Sequence, residues 1–230
     1  MKKIGTKITL LTACALLLLL PSSAYAEEVV PLHGQRIRFG GLLGVSMASQ
    51  STPAPFGNNI DAGSKAGLAF GVAVTVSLDR ASVDTPGFFL DAQSELLYAA
   101  KGTNLDRDGE TLGAYHLGYI EIPLLARAGY RVNPNLAPYL LFGPELGILL
   151  TAELENSRGE FSDTKEGLAT TDFGLVFGGG VAIDIAAIKG AINVDARYDL
   201  GLTDINDTGA NGFVKNRAFF VMLGYQYGAL

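Results

Sequence analysis

From Gly67 to Leu78 every second residue is a large apolar one. Leu68, Phe70, Val72, Val74, Val76 and Leu78 fall on one side of the chain. Gly67, Ala69, Gly71, Ala73, Thr75 and Ser77 fall on the other. A helix brings residues three or four apart onto a common face, so an unbroken period of two over this length specifies an extended strand.

The same alternation recurs seven times, giving eight expected strands in all. The first spans about 35–47, with Ile37, Phe39, Leu43, Val45 and Met47 on its apolar face. Those after 67–78 lie at about 88–101, 115–130, 136–151, 171–185, 191–203 and 217–227. Strands 2–3, 4–5 and 6–7 are joined by roughly nine, five and five residues. The other connections, about 48–66, 102–114, 152–170 and 204–216, are longer and rich in Gly, Asn, Asp, Ser or Thr.

Alternation is shared by soluble β-sandwiches and membrane barrels. Three features favour the barrel. Most segments run 11 to 16 residues, longer than globular strands and sufficient for a tilted membrane crossing. The less apolar face carries Gly, Ala, Ser and charges of both signs, as a narrow lumen requires. The aromatics Phe88, Tyr98, Tyr130, Phe173, Phe219, Tyr225 and Tyr227 fall near strand ends, where interfacial girdles lie. The expected fold is therefore all-β, an eight-stranded antiparallel transmembrane up-and-down β-barrel over residues 35–230, in the bacterial outer membrane. Both termini and the short turns are expected on the periplasmic side and the long loops outside.

The N-terminus agrees with export. Lys2, Lys3 and Lys7 precede the 13-residue apolar run Ile8–Leu20, too short for a spanning helix, and Ala24-Tyr25-Ala26 ends in a small-x-small cleavage pattern. Residues 1–26 are expected to be a cleaved signal peptide and 27–34 a periplasmic lead-in. Leu11-Thr12-Ala13-Cys14 resembles a lipobox, but the apolar run continues past Cys14, which favours an unmodified cysteine in the discarded segment. Removing residues 1–26 leaves 14 of the 17 basic residues against 23 acidic ones, a charge of −9. Such an acidic chain is not expected to bind nucleic acid, which needs Lys and Arg to neutralise phosphates.

Five stretches resemble the PorT-like outer-membrane β-barrel family. They are Ser94-Glu95-Leu96-Leu97-Tyr98-Ala99-Ala100-Lys101-Gly102, Tyr119-Ile120-Glu121-Ile122-Pro123-Leu124-Leu125, Pro138-Tyr139-Leu140-Leu141-Phe142-Gly143-Pro144, Asp172-Phe173-Gly174-Leu175-Val176-Phe177-Gly178-Gly179-Gly180 and Asp195-Ala196-Arg197-Tyr198-Asp199-Leu200-Gly201-Leu202. The resemblance implies an eight-stranded outer-membrane barrel without catalytic residues; one branch of that family assists protein secretion. Unlike barrels that finish on an aromatic residue, this chain ends Tyr227-Gly228-Ala229-Leu230.

The inner face supplies the candidate site. Arg36, Arg38, Lys101, Arg127 and Arg197 share it with Asp91, Glu95, Glu121, Glu145, Asp172, Asp184, Asp195 and Asp199. An ion or proton path and a salt-bridge plug are the two readings, and the width of an eight-stranded barrel favours the plug. Catalysis is not expected. The two histidines are His33, before the first strand, and His116, on an outward register near the outer rim, and no Ser–His–acid set is ordered around them.

Residues 104–110 begin like a calcium loop, but Tyr115 stands where an EF-hand needs a bidentate Glu, so a solvated turn is expected. Asp204, Asn206 and Asp207 form a second acidic cluster on the same rim. Gly178-Gly179-Gly180 lies within a strand and lacks the Lys-Ser/Thr of a phosphate loop. No metal or cofactor is expected. The expected partners are membrane lipid, lipopolysaccharide and the barrel-assembly machinery, and the expected role is structural or surface-interacting. An accessory part in protein secretion or, further off, lipid A modification are the alternatives.

Overall fold

A strand that crosses lipid must hydrogen-bond on both edges, and closing the sheet on itself leaves no edge. The computed structural model, which describes residues 37–51, 61–78, 86–107, 110–207 and 213–229, has this topology. The strands are β1 (Ile37–Ser51), β2 (Asp61–Ser77), β3 (Gly87–Arg107), β4 (Glu110–Arg131), β5 (Leu136–Asn156), β6 (Phe161–Asp163), β7 (Thr171–Ile185), β8 (Gly190–Gly201) and β9 (Lys215–Ala229). All but β6 form a ring in which each strand is antiparallel to the next. β9 closes on β1, from Ile37 opposite Ala229 to Ser51 opposite Lys215. Residues 1–26, the lead-in 27–34, and with them Cys14, His33 and Arg36, lie outside the described residues.

Strand identity follows the alternation, but several ends differ. The expected connection 102–114 is largely strand: Thr103 pairs with Tyr115, Asn104 with Ala114 and Leu105 with Gly113. β5 likewise runs on to Asn156, and β6 pairs with that extension, Glu155 opposite Phe161. Past the apolar belt the outward face meets water, so its hydrophobic alternation fades while the backbone ladder continues, with Thr103 and Leu105 still turned to a buried side. Residue pattern reveals burial, and here the ladder outlasts it.

The burial pattern is inverted relative to a soluble protein. Phe88 is 81% exposed and Leu140 71%, whereas Glu121 on the opposite face is 1% exposed. A continuous belt of exposed Leu, Val, Ile and Phe encircling the barrel has no place in water. The turn-rim aromatics are packed together, with the Phe88 and Tyr130 rings edge to face at 5.0 Å. Small residues set the curvature. A Cβ on Gly143 would stand 1.9 Å from the Leu124 carbonyl oxygen, and one on Gly178 would stand 2.3 Å from that of Ala196. The Gly178–Gly180 run is thus a point of close strand approach within β7.

Candidate functional site

Inward positions come from every ring strand, and they fill the tube in layers. Nearest the short turns, Arg38 of β1 pairs with Asp91 of β3, and Ser77 donates to the same carboxylate at 2.9 Å. One layer up, Arg127 of β4 donates to Asn193 at 2.9 Å and to Gln93 at 3.3 Å. Its guanidinium stacks on the Tyr139 ring with 3.7 Å to the centroid. Arg197 of β8 then bridges Glu95 at 2.7 Å and Asp195 at 2.8 Å, and the Tyr139 hydroxyl donates to Asp195 at 3.1 Å.

Nearer the loop rim the charge pattern changes. Lys101 of β3 meets Glu121 at 2.5 Å, Glu145 at 3.7 Å, and Asp199 in a third ion pair. The Tyr119 and Phe220 rings flank its ammonium, each centroid 5.7 Å away. Asn216 of β9 donates to Asp172 at 2.8 Å and to the Tyr119 hydroxyl at 3.1 Å, and accepts from Gln50 at 3.3 Å.

Above this lies an apolar cap. Ile205, from the β8–β9 connection, is fully buried against Leu117, Tyr119, Leu149 and Ala152, with Leu168, Ala169 and Val214 beside it. Two loops hold it there. The Ala169 amide donates to the Ile205 carbonyl at 2.9 Å, Ile205 to Val214 at 2.8 Å, and Asp207 to Gly167 at 3.1 Å. Asp204 organises the turn: its Oδ1 accepts the backbone N–H of Val214 at 2.8 Å and of Asn206 at 3.0 Å. Those bonds hold its carboxyl below the usual carboxylate range. The acidic cluster on this rim therefore has one of its carboxylates, that of Asp204, in a loop-folding role.

All the expected lumen residues that are described are buried inside the barrel: Arg38, Asp91, Glu95, Lys101, Glu121, Arg127, Glu145, Asp172, Asp184, Asp195, Arg197 and Asp199. Asp195 and Arg197, two apart on one strand, pair directly. Glu121 and Arg127 do not meet; each finds partners on other strands. Sequence reading missed Arg131, the inward aromatics Phe89, Tyr119 and Tyr139, and the apolar Leu97, Leu125, Leu141 and Val176. Their parity relative to the outward residues was the available signal, masked because large apolar residues occur on both faces there. Cavities among the lumen side chains are small, about 10 Å³ beside Glu121 and Asp199 and about 10 Å³ beside Arg38 and Asp184, room for roughly one water each.

Outside the lumen, His116 is half-exposed, with Nε2 2.8 Å from Glu155 and its ring edge-on to Phe161 at 5.5 Å. In the 104–110 segment, Asp106 accepts from the Thr111 hydroxyl at 2.7 Å, within the β3–β4 hairpin rather than a free turn.

A model of the outer membrane protein beta-barrel domain matches residues 25–207. The chain belongs to this outer-membrane β-barrel family. As a member, it is a small barrel of the bacterial outer membrane whose apolar belt contacts lipid. Solved outer-membrane barrels are similar in fold. The neisserial surface protein NspA is 14% identical, with a TM-score of 0.49 over 83% of this chain and 97% of that one. OprG of Pseudomonas aeruginosa is 12% identical, with a TM-score of 0.47 over 88% and 100%. The attachment invasion locus protein Ail of Yersinia pestis is 14% identical, with a TM-score of 0.38 over 84% and 99%. No curated protein sequence matches the chain.

Proposed function

We propose that this outer-membrane barrel is a closed structural or surface-interaction protein, neither a channel nor an enzyme. One observation carries the reading: the lumen is occupied by interlocked side chains from the Arg38–Asp91 pair to the Lys101 cluster, and Ile205 closes the outer mouth. A solute path would have to break several buried ion pairs at once, each costly to separate in a low-dielectric interior. The surfaces left for interaction are the belt, facing lipid and lipopolysaccharide, and the loop rim. Export through a cleaved signal at residues 1–26 and insertion by the barrel-assembly machinery complete the reading.

Planar-bilayer recording tests it. Purified protein should insert without stable conductance, and a persistent nanosiemens-scale channel would refute the closed lumen. The second reading, accessory work in protein secretion, rests on analogy with one branch of the PorT-like family that the five stretches resemble. Purification in mild detergent separates the two, since a secretion component brings stoichiometric partners.

A further inference from the structure

The outward column of β9 changes character at one point. Tyr227, Tyr225, Leu223, Val221 and Phe219 are exposed on the belt, and the next two outward residues are Arg217 and Lys215. Their neighbours fix this direction, because Asn216 is buried in the lumen and Val214 packs against the Ile205 cap. Strand residues rise about 3.4 Å each, and a tilt of about 40° turns the ten steps from Tyr227 to Arg217 into about 26 Å of height. The apolar band of such barrels is about 25 Å tall. Arg217 therefore stands at its outer edge and Lys215 about 5 Å above it, at the depth of lipid headgroups. An aromatic level lies just below, where Phe219 is opposite Tyr198 and the Tyr198 ring packs on Phe177 at 5.4 Å.

In an acidic chain these two cations stand apart from the carboxylates. Among the described residues neither has an ion-pair partner. Asp204 is near enough for Lys215 to favour its charged form, but its Oδ1 already accepts two backbone N–H groups. The connections that leave β1 and enter β9 add no acid, since residues 52–60 and 208–212 contain neither Asp nor Glu. Elsewhere on this rim His116 meets Glu155, and Lys165 donates to the Leu150 carbonyl. Two like charges on one face of a strand, about 7 Å apart along the backbone, repel unless an anion stands between them.

We propose that Lys215 and Arg217 bind a phosphate monoester of a phosphorylated glycolipid, of the lipid A class, whose acyl chains lie along Phe219, Val221 and Leu223. The proposal rests on the belt facing lipid and lipopolysaccharide, and names where the headgroup is held. Arginine donates two parallel N–H bonds to a phosphate and lysine adds a point charge. A phosphate monoester offers three terminal oxygens and a charge of about −1.5 to −2, enough for both cations. The diester of a phospholipid offers two such oxygens and a single charge. Free phosphate has no acyl chains to bury against the belt. Ser49 of β1 and Leu200 of β8 lie opposite Arg217 on its two sides, a polar and an apolar neighbour for a headgroup.

Native mass spectrometry of the full processed chain, released from detergent micelles with added lipid, tests the site. Lipid A carrying its phosphates should be retained at one copy per chain, about tenfold or more tighter than phosphate-free lipid A or phosphatidylglycerol. K215Q/R217Q should bind lipid A about tenfold or more weaker, while K165Q, elsewhere on the rim, should bind as the native chain does. Heat-modifiable gel mobility verifies that each variant is folded. Undiminished binding by folded K215Q/R217Q overturns the proposal, as does equal affinity for phosphate-free lipid A or for phosphatidylglycerol. Displacement of lipid A by inorganic phosphate alone overturns the choice of a lipid. Planar-bilayer conductance remains a separate readout: K215Q/R217Q should stay closed, so loss of this site and loss of the closed lumen are told apart.

Discussion

Lys101 and Asp199, 98 residues apart in sequence, form a buried ion pair across the barrel interior. The contact joins β3 to β8, which are not neighbours in the ring, so it ties opposite walls together. Removing the ammonium leaves Glu121, Glu145 and Asp199 without their shared cation. K101M should therefore lose about 3–5 kcal/mol of stability. Chemical unfolding in micelles followed by tyrosine fluorescence checks this; an unchanged midpoint would mean that the carboxylates are compensated elsewhere.

The outward face makes the opposite demand. Val72 lies midway along β2 and is exposed to the surroundings of the belt. In lipid, V72R should cost about 2–4 kcal/mol, the penalty for arginine near the bilayer midplane. Unfolding in bilayers measures it. The same arginine on a water-washed sheet would be nearly neutral, so a negligible effect would contradict the lipid contact.

Close strand approach at Gly178 makes a third prediction. A side chain there collides with the Ala196 carbonyl, which belongs to the facing strand β8. G178V should fail to close the β7–β8 seam and should lose the heat-modifiable gel mobility of a folded barrel. G179A places its methyl beside the flexible end of Leu140 as well as the Tyr139 carbonyl, at 2.9 Å or more, and should be milder.

The outer cap should respond to acid. Asp204 is held below the ordinary carboxylate range by the Val214 and Asn206 N–H groups, and the unfolded value is about 4. A depressed folded value means that its contribution is complete above the unfolded value and is lost as pH falls through the folded one. The Asn206 and Val214 amide resonances should move together on acidification. In D204N, which retains an acceptor oxygen without a titrating charge, they should stay in place.

The Ile205 side chain closes the mouth, but the charge layers beneath close the tube independently. I205A should speed amide hydrogen exchange in residues 203–207 while leaving planar-bilayer conductance at zero. If conductance appeared, the cap alone would be the seal.

Much of this was written in the chain itself. A period of two is a local property, so Leu68 to Leu78 declare a strand and its two faces without reference to any other segment. The inward parity of Glu121, Arg127, Asp195 and Asp199 follows from the same count. What the sequence left open is who meets whom. Parity put Glu121 and Arg127 on one face of one strand, but the closed ring decides their partners, delivering Glu121 to Lys101 and Arg127 to Tyr139 and three strands' amides. The cap was equally hidden, because Ile205 sits alone in a polar stretch and gains meaning only when Leu117, Leu149 and Ala152 are brought beneath it. Alternation fixes direction along one strand, whereas shear and closure fix distance between strands. Those belong to the whole barrel, and no single segment encodes them.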